Sequence, residues 1–527
     1  MSAPETKPDS LAGLPRLPRD EGGPVFAEPW QAQAFALAVR LSAQGRFTWK
    51  EWADALAAEL KAAADRGEPD DGSRYYHHWL AALERLVNSK GLADPAALAE
   101  RKEAWADAYR HTPHGKPVEL AKRAVAPPES DLTPAELVRR AEAMRPMLRE
   151  RQAASEEAGR ISDETNGEFI RAGFYRILQP RRFGGYEFDL PCFLKVMLAV
   201  SRGCPESGWV LALTAGHAFL MSLFPEAGQR EAFGATGEFR APAVAAPGGT
   251  AIAVEGGYRV KGAWDYASGC DVATHFMGAA IRVDPQSKAP QGVMFVLVDR
   301  DQYSIIDNWN MMGMQGTGSR RVVIEEIFVP AHRVVHTADA LGHAIHDHPG
   351  IAHHRNPMYR GRVAPLLVSE TVAVAVGAAR GALDVYAEIL CRKKRPYPPF
   401  DLLVEQAEFQ RHFGHAQSLV DTAEAALLQL AANYMEQARR QAEDGIAITD
   451  EDERRLLMIE QQCVRLAWEA MELMFRTAGS SAAASSAPLG RYFRNLAVIR
   501  THITLQLDRT AVNAARLHFG MPAAGPL

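Results

Sequence analysis

Along residues 21–120, apolar side chains return every three or four positions. "FALAVRLSAQGRFTWKEWADALAAEL" and "YYHHWLAALERLVNSKG" both carry this spacing, and the second stops on Gly91. The spacing predicts amphipathic helices closed by a glycine. "AVAPPESDLTPAEL" then breaks the pattern. It reads as a linker over 121–133 that ends with Thr133 as an N-cap before Pro134 at the first helical position. Residues 134–239 are helical again, with one loop at "LQPRRFGGYEFDLP". From 240 to 340 the texture changes to short β-branched runs punctuated by glycine, among them "GVMFVLVDR" and "RRVVIEEIFVP". This predicts a mostly antiparallel β-domain. An irregular connection over 341–364 leads into long amphipathic helices from 365 to 527. The expected class is α+β: a small all-α domain, a helical domain, a middle β-domain and a C-terminal helical bundle.

Bulk properties narrow the function classes. A chain of 527 residues is too long for one core, and length suggests roughly two to four domains. The net charge of -5 gives no reason to expect nucleic acid or an anionic membrane as partner. No apolar run reads as long enough to span a bilayer. Residues 1–20 are polar, proline-rich and without the apolar core of a secretion signal, so they read as a disordered lead. The five cysteines, Cys192, Cys204, Cys270, Cys391 and Cys463, form no CxxC pair. That spacing argues against a zinc site or a disulfide framework and fits a reducing cytoplasm.

Two stretches offer chemistry. "WDYASGC", residues 264–270, lies between two β-runs. It is either a turn with core aromatics or a loop aimed at a flat aromatic cofactor, with Trp264 and Tyr266 as walls and Ser268 as a hydroxyl. "GMQGTGS", residues 313–319, supplies backbone N–H groups at Gly316 and Gly318 and hydroxyls at Thr317 and Ser319. Such a loop is also an ordinary turn on its own evidence.

Taken in order, "GWVLALTAGHAFLMSLFPEAGQREAFG" (208–234), "GGYRVKGAWDYASGCDVATHFMGAAI" (256–281), "NWNMMGMQGTGSRRVVIEEIFVPAHRV" (308–334) and "GSSAAASSAPLGRYFRNLAVIRTHITLQLD" (479–508) carry a resemblance. Over roughly residues 130–527 the chain resembles the oxygenase component of two-component flavin-dependent monooxygenases. These include the p-hydroxyphenylacetate and 3-hydroxy-9,10-secosteroid hydroxylases, which share the acyl-CoA dehydrogenase fold. The resemblance implies reduced FMN or FAD as cofactor, dioxygen as co-substrate, a C4a-(hydro)peroxide of the flavin and hydroxylation of a phenolic small molecule. It also implies a separate NAD(P)H flavin reductase and a homotetramer. A site for such chemistry must be dry, with few donors. The resemblance sets Ser268 near the flavin N5, with Trp264, Tyr266, Gly316, Thr317, Gly318 and Ser319 as flavin contacts. His217, in "TAGHAFL", matches a histidine that lines the substrate pocket, where an imidazole can orient or deprotonate a phenol. The alternative for a lone histidine on an apolar face is core packing. His502 matches a histidine facing the flavin. Arg491, Arg494 and Arg500 share its helix and read as a solvated or salt-bridged face. No GxGxxG fold appears, so NADH oxidation in cis is not expected.

Residues 20–120 resemble something unrelated. "FAEPW", "FTWKEW" and "TPHGKP" look like the helical domain of nitrile hydratase β subunits and their accessory proteins. In that family the metal sits in a cysteine cluster on the α subunit. This chain has no such cluster, so no metal and no hydration in cis are expected. His77, His78, His111 and His114 show no regular ligand spacing. The resemblance implies docking to an α-like partner or to the oxygenase part. Three rivals stay open: N- or S-oxygenation of a nitrogen-containing substrate, acyl-CoA dehydrogenase-type oxidation, and a non-enzymatic accessory role. The dehydrogenase reading needs a carboxylate base, and "GSSAAASSAPLGRYFRN" contains no acid.

Overall fold

The computed structural model describes residues 19–20, 23–68, 74–92, 102, 129, 131–234, 237–337, 348–522 and 524. The chain divides into two units, Met1–Arg123 and Ala124–Leu527.

Among the described residues of the first unit a short antiparallel pair, β1 (Arg19–Asp20) and β2 (Gly23–Pro24), precedes three helices. These are α1 (Pro29–Ala43), α2 (Trp49–Asp65) and α3 (Tyr75–Ser89). A capping box starts α2, with Thr48 accepting from the Glu51 N–H and the Glu51 carboxylate accepting from Thr48. The core is aromatic: Trp52 and Trp79 are fully buried, with ring centroids 4.6 Å apart. The Trp79 indole donates to the Ala34 carbonyl at 3.2 Å. His77 leans on Trp30, and His78 lies 3.7 Å from Glu68. His111 and His114 lie outside the described residues, as does "TPHGKP". Among the described residues no three His, Cys, Asp or Glu side chains gather as a metal site.

The second unit opens with α4 (Pro134–Ala158), where the Thr133 hydroxyl accepts from the Glu136 N–H and Pro134 takes the first position. Four helices follow: α5 (Asp163–Ala172), α6 (Leu190–Gly203), α7 (Pro205–Met221) and α8 (Glu226–Phe233). Seven strands come next: β3 (Ala243–Val254), β4 (Gly257–Ala267), β5 (His275–Val283), β6 (Pro290–Asp299), β7 (Ser304–Ile306), β8 (Arg320–Pro330) and β9 (Val334–His336). They form one sheet in the order β7-β8-β4-β3-β5-β6-β9. Only the β3–β5 pair within it is parallel. Val260, Trp264, Phe276, Val296 and Ile324 build its own buried cluster.

Among the described residues five α-helices follow the sheet: α9 (Val363–Arg392), α10 (Ala407–Asp444), α11 (Asp450–Ala478), α12 (Pro488–Ile499) and α13 (Leu507–His518). Helix α9 is central and packs on α6, α7, α10, α11 and α12. One expectation is corrected here. α9 is by itself long and apolar enough to cross a membrane, and its apolar window is almost wholly buried inside the bundle. That window is apolar because neighbouring helices pack over it, while Asp384 and Glu388 further along the helix are partly exposed and paired with Arg202 and Arg149. Four of the cysteines are buried, and Cys391 is exposed.

Candidate functional site

Two segments far apart in sequence meet beside the start of α7. Strand β4 shifts register against β8 between Trp264 and Ala267, and Tyr266 takes a left-handed φ of 63°. A bulky residue is rarely held there. The irregularity breaks the strand's alternation. It leaves Tyr266 64% exposed while Ala267 and Ser268 turn inward. Gly269 follows with φ 77°, and a Cβ there would lie 2.9 Å from both Thr214 and Val210 of α7. Only glycine lets the loop approach the helix this closely.

The second segment is the turn 314–318, framed by Met314 (φ 56°) and Gly318 (φ 54°). Helices hold it. The Met314 N–H donates to Asn495 Oδ1 on α12 at 2.6 Å, and the Gly316 N–H donates to Glu206 Oε1 on α7 at 2.9 Å. The Gly269 N–H donates to the Thr317 carbonyl at 3.2 Å, which ties the turn to the β4 loop.

Between them runs a line of buried hydroxyls. The Trp209 indole donates to Ser268 Oγ at 3.0 Å. Ser268 Oγ lies 2.7 Å from Ser319 Oγ, and Ser319 Oγ lies 2.7 Å from Thr317 Oγ1. Thr317 Oγ1 donates to the Met314 carbonyl at 2.8 Å. His502 stands edge-on to Trp209, centroids 5.8 Å apart, with Nδ1 2.8 Å from Thr504 Oγ1. His502 is open to solvent on one side, but the surrounding protein bulk lowers its pKa. Tyr266 meets Trp309 edge-on, and the Trp309 indole donates to the Met314 carbonyl at 2.9 Å.

Ser268, Thr317, Ser319 and His502 are thus gathered through Trp209, with Gly316 and Gly318 shaping the turn and Tyr266 at its rim. Trp264 is placed elsewhere. It is 1% exposed, packs on Phe276 and donates its indole N–H to the Ala279 carbonyl at 2.7 Å. The wall expected from Trp264 is therefore corrected to a sheet-core residue. Trp209, from α7, takes the place beside Ser268.

His217 lies two turns along α7 from Trp209 and is 5% exposed. Its Nδ1 is 2.8 Å from the Ala241 carbonyl. A carbonyl only accepts, so Nδ1 carries the hydrogen. Burial lowers its pKa to about 4, which leaves the ring neutral at pH 7. Nε2 faces Glu370 Oε1 on α9 at 3.6 Å. Gly216 makes the room, since a Cβ there would lie 1.8 Å from Glu370 Oε2. Burial pushes the Glu370 carboxyl well above its usual range.

Sequence reasoning missed Trp209, Glu206, Asn495 and Glu370. Glu370 carries a readable signal: it is the lone acid in the apolar run "VAPLLVSETVAVAV". Glu206 is masked by its position in the first turn of α7, where an acid ordinarily answers the helix dipole. Here it is buried with Oε2 unpartnered, and desolvation raises its pKa to about 7. Arg491 and Arg494 both pair with Glu156 of α4, and Arg500 lies over Trp468. An open recess of about 440 Å³ against Arg149, Arg392 and Leu489 lies apart from this cluster.

Comparison with known proteins adds two family matches. Residues 370–507 match the acyl-CoA dehydrogenase C-terminal domain, and residues 11–126 match the N-terminal part of the nitrile hydratase β subunit. The chain is 31% identical over 395 residues to the flavin-dependent monooxygenase oxygenase subunit HsaA of Rhodococcus jostii, covering 73% of this chain and 98% of that one. It is 28% identical to the oxygenase component of an FADH2-dependent resorcinol hydroxylase from a Rhizobium species, covering 74% of this chain and 95% of that one. Among solved structures it is similar to XiaF from a Streptomyces species in complex with FADH2 and glycerol. That match has a TM-score of 0.69 and 26% identity, and covers 75% of this chain and 97% of that one.

Proposed function

Because this chain belongs to the oxygenase components of flavin-dependent monooxygenases with the acyl-CoA dehydrogenase fold, we propose that it hydroxylates a phenolic small molecule with reduced FMN or FAD and dioxygen. The observation that carries this reading is the meeting of Trp209, Ser268, Ser319, Thr317 and His502 in one cluster.

The residues present fit a flavin. Asn495 Nδ2 is buried beside the turn without a partner, a donor waiting for a carbonyl. Ser268 offers a hydroxyl, the Trp209 ring gives flat apolar surface, and the His502 ring stands edge-on to it. Bound reduced flavin supplies the electrons with which dioxygen is activated. The chain's own part is to orient, to keep water out and to hold protons. Trp209, Thr317 and Ser319 are buried and uncharged, so they add no acid. His502 has a lowered pKa and is a neutral acceptor at pH 7. His217 presents Nε2 from a neutral ring and takes up a phenol proton poorly unless a partner helps. Burial raises the Glu370 pKa well above its usual range, which favours the protonated carboxyl.

The same reading includes a separate NAD(P)H flavin reductase, a homotetramer and a cytoplasmic setting. The nitrile hydratase β-like match supports docking of an α-like partner through residues 21–120. The purified chain with NADH and FMN alone is expected to show no turnover, and a generic flavin reductase is expected to restore it. Turnover without the reductase contradicts the two-component reading.

A further inference from the structure

The buried pair of His217 and Glu370 has a donor and an acceptor side. The His217 Nδ1–H donates to the Ala241 carbonyl at 2.8 Å, and the Ala241 N–H donates back to the Thr214 carbonyl of α7 at 3.2 Å. These two bonds fix the ring and leave Nε2 as a bare lone pair. Glu370 stands opposite on α9, with Oε1 3.6 Å from Nε2 and Oε2 buried without a partner. Gly216 admits the carboxyl, since a Cβ there would lie 1.8 Å from Oε2. Among the described residues no arginine or lysine pairs with it. Burial without a cation favours the neutral carboxyl, which has one hydrogen to give.

At 3.6 Å the two atoms are too far apart for a direct hydrogen bond and close enough for one further oxygen to reach both. Such contacts are often long before a substrate binds and tighten when it does. His217 and Glu370 are 5% and 1% exposed, so bulk water does not compete for them. One acceptor and one donor stand side by side. A neutral hydroxyl matches both: its hydrogen goes to Nε2, and its oxygen accepts from the carboxyl. A methyl ether or a phenolate has no hydrogen for Nε2. An aromatic amine has one, but its lone pair is drawn into the ring and accepts poorly.

We propose that Glu370 is a substrate-binding residue which, together with His217 Nε2, selects a neutral aromatic hydroxyl over an aromatic amine or ether, an inference that rests on the function proposed above. Glu370 donates to the hydroxyl oxygen while His217 accepts the hydroxyl hydrogen. No proton changes owner, and both residues act by orientation. The pair lies on α7 two turns beyond Trp209, so the hydroxyl is held at a fixed place relative to Trp209 and Ser268. A phenol is held by two bonds, and an amine or an ether by one.

Anaerobic equilibrium dialysis of the full chain with reduced FMN or FAD and with phenol, aniline or anisole, all neutral at pH 7, tests this. Wild type is expected to bind phenol most tightly. Glu370→Met keeps the length of the side chain and removes its donor, so the preference for phenol over aniline is expected to fall roughly five-fold, the worth of one hydrogen bond. Glu370→Gln keeps an N–H donor and is expected to hold that preference within about two-fold. Melting curves identify a variant that does not fold, and the wild-type preference for phenol over aniline and over anisole then decides. Equal wild-type affinity for phenol and aniline, or an unchanged preference in folded Glu370→Met, overturns the selection. Hydroxylation of phenol with reduced flavin in that same preparation leaves the proposed function standing. Wild type that neither binds phenol nor hydroxylates it with reduced flavin overturns the proposed function, and this inference with it.

Discussion

His217 and Glu370 face each other across the contact of α7 and α9, Nε2 to Oε1 at 3.6 Å, and burial shifts both toward their uncharged forms. The two shifts act on stability in opposite pH ranges. Glu370 holds its proton more firmly folded than unfolded. Its contribution is present below its unfolded value of 4.5 and is lost as pH rises toward the folded one. His217 holds its proton less firmly folded. Its neutral form favours the fold above 6.5, and that advantage is lost as pH falls to about 4. Glu370→Gln removes only the alkaline loss. Melting temperature followed from about pH 5 to about pH 9 is expected to stay flatter in the variant than in wild type. Parallel curves contradict the protonated carboxyl.

His217→Ala tests the substrate side. The variant is expected to bind reduced flavin normally and to hydroxylate poorly, so that released hydrogen peroxide per product rises. A neutral Nε2 that orients the phenol through one hydrogen bond contributes about 1 kcal/mol, or several-fold in coupling. Core packing alone predicts a lowered melting temperature with normal coupling in the folded fraction.

His502→Ala separates the flavin side. The ring is exposed and bonded only locally, to Thr504, so melting is expected to move little. Coupling is expected to fall even with saturating phenol, because the group beside Trp209 is gone. Unchanged coupling removes His502 from the site.

Glu206 anchors the turn that carries Thr317 and Ser319. Glu206→Gln keeps an acceptor for the Gly316 N–H and is expected to leave flavin affinity within about two-fold of wild type. Glu206→Ala leaves that N–H buried and unpaired, at about 1–3 kcal/mol. Desolvation, with Glu156 nearby, raises the wild-type carboxyl from 4.5 to about 7 against the opposing pull of the Gly316 N–H, Arg491 and Arg494, so it adds stability below 4.5 that is lost as pH climbs through about 7. Melting curves across that window are expected to differ between wild type and Glu206→Gln. Coincident curves contradict the buried, protonated state.

Much of the fold was legible because periodicity changes with the element. The three- and four-residue spacing of α1–α3 and of α10–α13 flanks the β-branched runs of β3–β9, and the Thr133–Pro134 pair marks where α4 begins. The site was legible as motifs and less so as geometry. Nothing in "WDYASGC" announces that β4 breaks register after Trp264 and throws Tyr266 into a left-handed conformation. Without that irregularity, alternation cannot tell which aromatic leaves the core. Trp209 was hidden for a different reason: it lies in an apolar helix where an indole reads as packing, and its bond to Ser268 spans 59 positions. Glu206, Asn495 and Glu370 likewise act through partners distant in sequence.

The most direct measurement of the central claim is a single turnover with isotope-labelled dioxygen. The purified chain is mixed with a stoichiometric amount of chemically reduced FMN or FAD and a phenol, without NADH or reductase. The account predicts one labelled oxygen atom in the hydroxylated product, and none when oxidised flavin replaces reduced flavin. An unlabelled product, or anaerobic bleaching of bound oxidised flavin by an acyl thioester in place of hydroxylation, contradicts it.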